Sequence, residues 1–227
     1  LMNALEWRAT GVLSLIQALR MLGMFMILPV FALYARDLPG GATHWQIGLA
    51  IGLYGIVQAA LQIPFGWLSD RIGRKPVIVG GLLLFALGAF ISGATHDIDW
   101  IMFGRAIQGA GAISGAASAL LADSTRTQVR TQAMAILGIG MGVSFIVALV
   151  LGPVFDGLIG VDGIFRMTGW LALLAIPLVI YALPPVPLLR VHSPRGLGEV
   201  LGDAQLLRLD GGIFLLHATM TCLFIAA

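Results

Sequence analysis

"GWLSDRIGRKPVIVGG", Gly66 to Gly81, sets one acid and three bases among glycines in a chain that is otherwise greasy. Asp70, Arg71, Arg74 and Lys75 are packed into a short gap, and long apolar runs stand on both sides. The 227 residues are 59% hydrophobic and 11% charged, with mean hydropathy +0.97. A soluble domain carries about 25% charged residues, so a water-soluble fold of this length would lack the polar surface to cover itself. The apolar runs are long and uninterrupted, which fits spanning helices and not the short alternating segments of a membrane β-barrel. The fold class is therefore all-α membrane. The charged stretch is one of its extramembrane loops.

A crossing needs roughly 20 apolar residues. Six predicted spans occupy about 10–35, 45–68, 76–95, 99–121, 132–155 and 164–184, and a seventh begins at 211 and is truncated. The predicted organisation is a six-helix unit over 1–184, a linker over 185–210 rich in Pro, Gly and charge, and the start of a second unit over 211–227. With the N-terminus in the cytoplasm, Arg8, Arg71, Arg74, Lys75, Arg126, Arg130, Arg190, Arg195 and Arg208 all fall inside, and only Arg36 and Arg166 fall outside. That bias sets the N-terminus and the linker as cytoplasmic. Six helices, a linker and a further helix are the layout of a pseudo-symmetric transporter of two halves. The small net charge of +2 lies in loops beside spans, so no nucleic-acid partner is expected. The single Cys222 allows no internal disulfide. The spans hold no metal-ligand cluster and no nucleophile–base pair, so neither a metal site nor an enzyme is expected.

The quoted loop fits G-x-x-x-D-[RK]-x-G-[RK]-[RK] at Gly66, Asp70, Arg71, Gly73, Arg74 and Lys75. At average residue usage a chance match in a chain this long is roughly one in ten thousand. Topology alone explains the three bases but neither the acid nor both glycines. Gly66 is expected to let two helices approach closely, and Gly73 to permit a turn that a β-carbon resists. Asp123, at the end of the fourth span, is the expected partner of Arg71 or Arg74. This loop resembles the signature of the major facilitator superfamily, in which the acid is thought to latch the two halves in one state. The resemblance implies a secondary active transporter with a second six-helix half, the lipid bilayer and a small molecule as its partners, and no cofactor beyond a proton gradient.

Other segments extend the resemblance. "RAIQGAGA" is similar to R-x-x-Q-G-x-G-A of proton-coupled members, with Arg105 and Gln108. A buried arginine in a span is costly and marks a functional site by default; a snorkelling arginine is the alternative. "LGMFMILPV" resembles an efflux-type segment whose last proline is Ala32 here, and it follows Arg20 near mid-span, where a cavity, a carboxylate or an anionic group should face the charge. Gly152, Pro153 and Gly157 partly match the antiporter motif, with Ile139, Ala148 and Asp156 in place of its glycines. Pro153 is expected to bend the fifth span, and Gly138, Gly140 and Gly142 are candidates for close packing. The resemblance implies a drug–proton antiporter of the bacterial inner membrane, with a substrate path lined by Gln17, Arg20, Arg105 and Gln108. Tyr54, Gln58 and Gln62 lie on one face of the second span, either bonding between helices or lining that path. The proton candidates are Asp37 and Asp156, or a group in the second half. His217, in the seventh span, could also titrate. An uptake symporter or uniporter and a non-transporting membrane sensor are the alternatives.

Overall fold

The computed structural model describes residues 2–111, 113–183 and, further on, 202–209, 211, 212, 215 and 219. The chain divides into two compact units, Leu1–Leu188 and Leu189–Ala227. In the second unit residues 204–209 are helical. His217, most of the linker and most of the seventh span lie outside the described residues.

The first unit is all helix among the described residues. Helices α1 (Ala4–Met26) and α2 (Leu28–Arg36) make the first crossing. Asn3 and Glu6 start α1 with a reciprocal capping box. Pro29 cannot donate to the carbonyl four residues back, and the helix restarts there. Helix α3 (His44–Ile72) is the second crossing and α4 (Arg74–Gly93) the third. Helices α5 (Ile98–Ala110) and α6 (Ser114–Asp123) form the fourth, interrupted between Ala110 and Ser114.

Helix α7 (Thr127–Pro177), continued by a π-helical turn at Leu178–Ala182, makes a 56-residue apolar stretch. At about 1.5 Å per residue it would be ~84 Å long, far beyond the ~30 Å hydrocarbon core, so it must cross twice. The one non-helical residue inside is Gly160, with φ 69°, a conformation that glycine adopts without penalty. Neighbours confirm the hairpin. Ser14 lies against Gly140 and Met26 against Gly152, so the first arm runs parallel to α1. Gly23 meets Thr168 and Arg8 meets Tyr181, so the second arm returns antiparallel. Pro153 lies inside the first arm, which continues through it, and the break in the helical dihedrals is at Gly160.

Glycines set the closest approaches. A β-carbon at Gly88 would collide with the backbone of Gly104 and Gln108, and one at Gly111 with the backbone of Gly81. These pairs hold α4 and α5 antiparallel. A β-carbon at Gly109 would strike the Tyr54 backbone, which seats α5 on α3. Among the described residues, a β-carbon at Gly66, Gly138 or Gly142 would meet nothing within 4 Å, so these glycines make no close contact inside this bundle.

Two apolar clusters fill the bundle. One gathers Leu13, Ile16, Ile78, Leu82, Phe85 and Leu120, and the other Met26, Phe31, Ile47, Ile101 and Phe165. In α1 the first cluster ends at Ile16 and the second begins at Met26. Gln17, Arg20 and Gly23 occupy the buried face between them.

Candidate functional site

At one end of the bundle the signature loop is a single residue. Gly73, at φ 104° and ψ 153°, ends α3 and starts α4. This places Asp70 in the last turn of one helix and Arg74 and Lys75 in the first turn of the next. Both placements oppose the helix dipoles, so each charge needs a partner beyond its own helix end. Arg74 supplies most of them. Its guanidinium pairs with Asp70, donates to Ser69 Oγ at 2.6 Å and reaches Asp123 Oδ2 at 3.2 Å. Of the two bases expected to meet Asp123, it is thus Arg74 that does. Arg71 instead lies over the Trp67 ring, 3.7 Å from its centroid. Lys75 Nζ donates to the Leu183 carbonyl at 2.6 Å and Arg8 to that of Tyr181 at 3.1 Å, where the sixth crossing ends and the dipole favours cations. The Gly66 carbonyl accepts from Ser69 Oγ at 2.7 Å, and among the described residues a β-carbon at Gly66 would meet nothing within 4 Å.

A further residue at this end went unread in the sequence. Glu6 is buried and accepts from the Arg126 backbone N–H at 3.0 Å and from its Nε at 2.9 Å. It thereby ties the first crossing to the start of the fifth, and its carboxylate holds the Arg126 guanidinium above its ordinary pKa. The sequence signal was the Asn3-x-x-Glu6 capping box.

In mid-bundle, Arg20 and Arg105 are each 3% exposed. Arg20 donates to Tyr54 Oη at 2.7 Å and to Ser114 Oγ at 2.5 Å. Arg105 donates to the Ala50 carbonyl at 3.2 Å and to Gln108 Oε1 at 2.9 Å, and its guanidinium lies 4.9 Å from the Tyr54 ring centroid. Tyr54 thus serves both arginines. Thr10 Oγ1, Ser14 Oγ, Gln17 Oε1, Arg20 Nε, Gln62 Oε1 and Gln108 Nε2 are buried without a partner. Of the cavity, carboxylate or anionic group expected to face Arg20, no carboxylate is bonded to it among the described residues; the hydroxyls of Tyr54 and Ser114 meet it. Gln17, Arg20, Arg105 and Gln108 are buried inside this bundle and do not line an open face. Gln58 and Gln62 are half-buried, and Gln62 lies against Gly115.

At the opposite end, Tyr34 donates to Asp162 Oδ1 at 2.5 Å, and His96 Nδ1 lies 3.4 Å from Asp162 Oδ2. The carboxylates of Asp37 and Asp156 make no hydrogen bond or ion pair among the described residues, although the Asp37 backbone N–H donates to the Tyr34 carbonyl at 3.1 Å. The networked carboxylate at this end is therefore Asp162, which sequence reasoning missed. In the antiporter-type segment, a β-carbon at Gly152 would lie 2.5 Å from the Met26 carbonyl and 2.9 Å from Pro29, so that glycine seats the fifth crossing on the first. Pro153 and Gly157 are exposed.

Comparison with known proteins places this geometry. Residues 13–227 match the family described as Major Facilitator Superfamily. The inner membrane transport protein YajR of Escherichia coli is 46% identical over 226 residues, covering 97% of this chain and 50% of that protein. The multidrug resistance protein MdtH of Aeromonas hydrophila is 32% identical over 207 residues, covering 87% of this chain and 50% of that one. In fold, the crystal structure of the human organic anion transporter MFSD10 matches with TM-score 0.69 at 18% identity, over 80% of this chain and 48% of that one. The chain thus spans about half the length of these proteins. A bundle of six crossings, four of its helical stretches long and apolar enough to span alone, carrying this loop and this match, belongs to the major facilitator superfamily.

Proposed function

We propose that the chain is the first half of a proton-coupled exporter of small amphiphilic molecules, working by alternating access against a second six-helix half. The observation that carries this reading is the charged end. The one-residue loop at Gly73 and its neighbours are bonded to the fourth and sixth crossings through Arg74–Asp123 and Lys75–Leu183. An opening that shifts α3 and α4 against the fourth or sixth crossing breaks those bonds, and in that way the loop would bias a two-state equilibrium. Relatives named for multidrug resistance support export. Asp37 or Asp156 is the candidate in this half to carry a proton, with Asp162 added by its network and a group in the second half as the alternative. The arginine bias supports a cytoplasmic N-terminus and linker in a bacterial inner membrane.

The test is transport by the whole protein in liposomes holding a pH-sensitive dye under an imposed pH gradient, challenged with lipophilic cations and anions. Substrate-dependent proton flux, lost in Asp70→Asn, is the expected result. Substrate movement with no proton flux overturns the coupling. No movement of any compound overturns export.

A further inference from the structure

We propose that the Arg20–Tyr54–Arg105 layer is a binding site for an oxyanion, a carboxylate or phosphate borne by the transported molecule, so that the substrate class is anionic. The inference rests on the reading of the chain as half of a transporter and adds to it the chemistry of the cargo.

Two guanidiniums sit inside a membrane bundle without a counter-charge. The ion pairs among the described residues, Arg74 with Asp70 and Asp123, His96 with Asp162, and Arg126 with Glu6, all lie at the two ends. The partners of Arg20 are two hydroxyls, and those of Arg105 are a carbonyl and an amide oxygen. All four are neutral. Burying a cation without an anion is among the most expensive arrangements a protein can hold.

The local backbone adds to the same sign. Helix α6 begins at Ser114, whose hydroxyl touches Arg20, so the positive end of a ten-residue helix points into the layer. Unused hydrogen-bonding groups remain as well. Arg20 Nε and Gln108 Nε2 are buried donors with no acceptor. A carboxylate or phosphate supplies several acceptors in the planar spacing that a guanidinium fork matches. A lipophilic cation would bring a third positive charge into the layer.

In the present conformation the hydroxyls of Tyr54 and Ser114 occupy Arg20 and the site is shut. An incoming oxyanion would take their place. Because these hydroxyls belong to α3 and α6, their release would loosen the first crossing from the second and fourth, which couples occupancy to movement of the bundle.

The test is calorimetric titration of the membrane-purified protein in nanodiscs, without a pH gradient, using benzoate, inorganic phosphate, chloride, benzamide and benzylammonium as probes. Benzoate or phosphate should bind saturably and more tightly than chloride, benzamide or benzylammonium. Binding should weaken by roughly tenfold to a hundredfold in Arg20→Gln and in Arg105→Gln, the loss expected for one charge-assisted hydrogen bond. Arg20→Lys, which keeps the charge and loses the fork, should fall between, and it serves if the glutamine variants fail to fold. Equal or tighter binding of benzylammonium overturns the proposal. So does oxyanion binding no better than chloride, or unchanged in every arginine variant. Oxyanion binding without proton-coupled transport in liposomes would keep this site and sink the coupling; cation export without oxyanion binding would do the reverse.

Discussion

Tyr54 is the residue on which most of the mid-bundle depends. Its hydroxyl accepts from Arg20, its ring lies beside Arg105, and it packs edge-on against Phe85 at 6.3 Å. Tyr54→Phe keeps the ring and removes only the acceptor, leaving a buried guanidinium N–H unmet. The expected cost is about 1–3 kcal/mol, read as a lowered unfolding midpoint in detergent. Asp70 is a contrasting case. Its side chain is 54% exposed and bonded only to Arg74, and an exposed pair contributes at most about 1 kcal/mol. Asp70→Asn should leave the midpoint nearly unchanged while abolishing transport, if its role is the proposed one in the equilibrium between states. Asp123 is 27% exposed and links α6 to Arg74, so Asp123→Asn should cost about 1.5 kcal/mol, the low end for a hydrogen bond to a charged group. Equal midpoint losses in the two variants would show that the loop acid is structural. The sequence made both mid-span arginines conspicuous, since charge in an apolar run is expensive. It did not reveal their partners. Ser114 reaches Arg20 only because the fourth crossing is interrupted before it, and "GAGAISG" carries no mark of where that interruption falls.

At the scale of the element, hydrophobic runs located the six crossings to within a few residues, and Gly73 and the hairpin near Gly160 fell in the expected gaps. Which glycines pack was harder to read. Gly81 and Gly88 on α4, and Gly104 on α5 with Gly111 just past its end, recur at a spacing of seven and face each other; that spacing was the available signal. Gly138 and Gly142 are no less glycine-like in sequence but point outward. Side-chain size alone does not say which face of a helix is covered. The contrast is testable. Gly88→Ala and Gly104→Ala must push α4 and α5 apart and should cost about 1–3 kcal/mol each, as overpacking does. Gly138→Ala should be neutral, or stabilising by up to about 1 kcal/mol from helix propensity. Thermal unfolding of the variants side by side would decide it, and a Gly138→Ala loss as large as that of Gly88→Ala would refute the assigned faces.

For the molecule as a whole, the unequal burial of its helices is the informative fact. Only 17% of the most apolar window of α3 and of α7 is buried, against 56% in α4. The outward face of α7 carries Ile139, Val143, Ile146, Val150 and Val154 beside Gly138, Gly142 and Gly157, and that of α3 carries Gly48, Gly52 and Gly55. Lipid makes no demand for glycine, whereas helix–helix contacts in membranes do. On the proposed two-half reading, these are the faces on which a second half is expected to pack and slide. Gly142→Leu separates the two roles. A β-carbon there would meet nothing within 4 Å among the described residues and the neighbouring side chains on that face are exposed, so the unfolding midpoint of the 227-residue chain should hold or rise slightly. In the whole transporter the same side chain would wedge the halves apart, and substrate movement in liposomes should fall severalfold or more without loss of folded protein. Full transport by Gly142→Leu would mean that the α7 face meets lipid, and the contact between halves would then fall to α3, where Gly52→Leu is the next variant to measure.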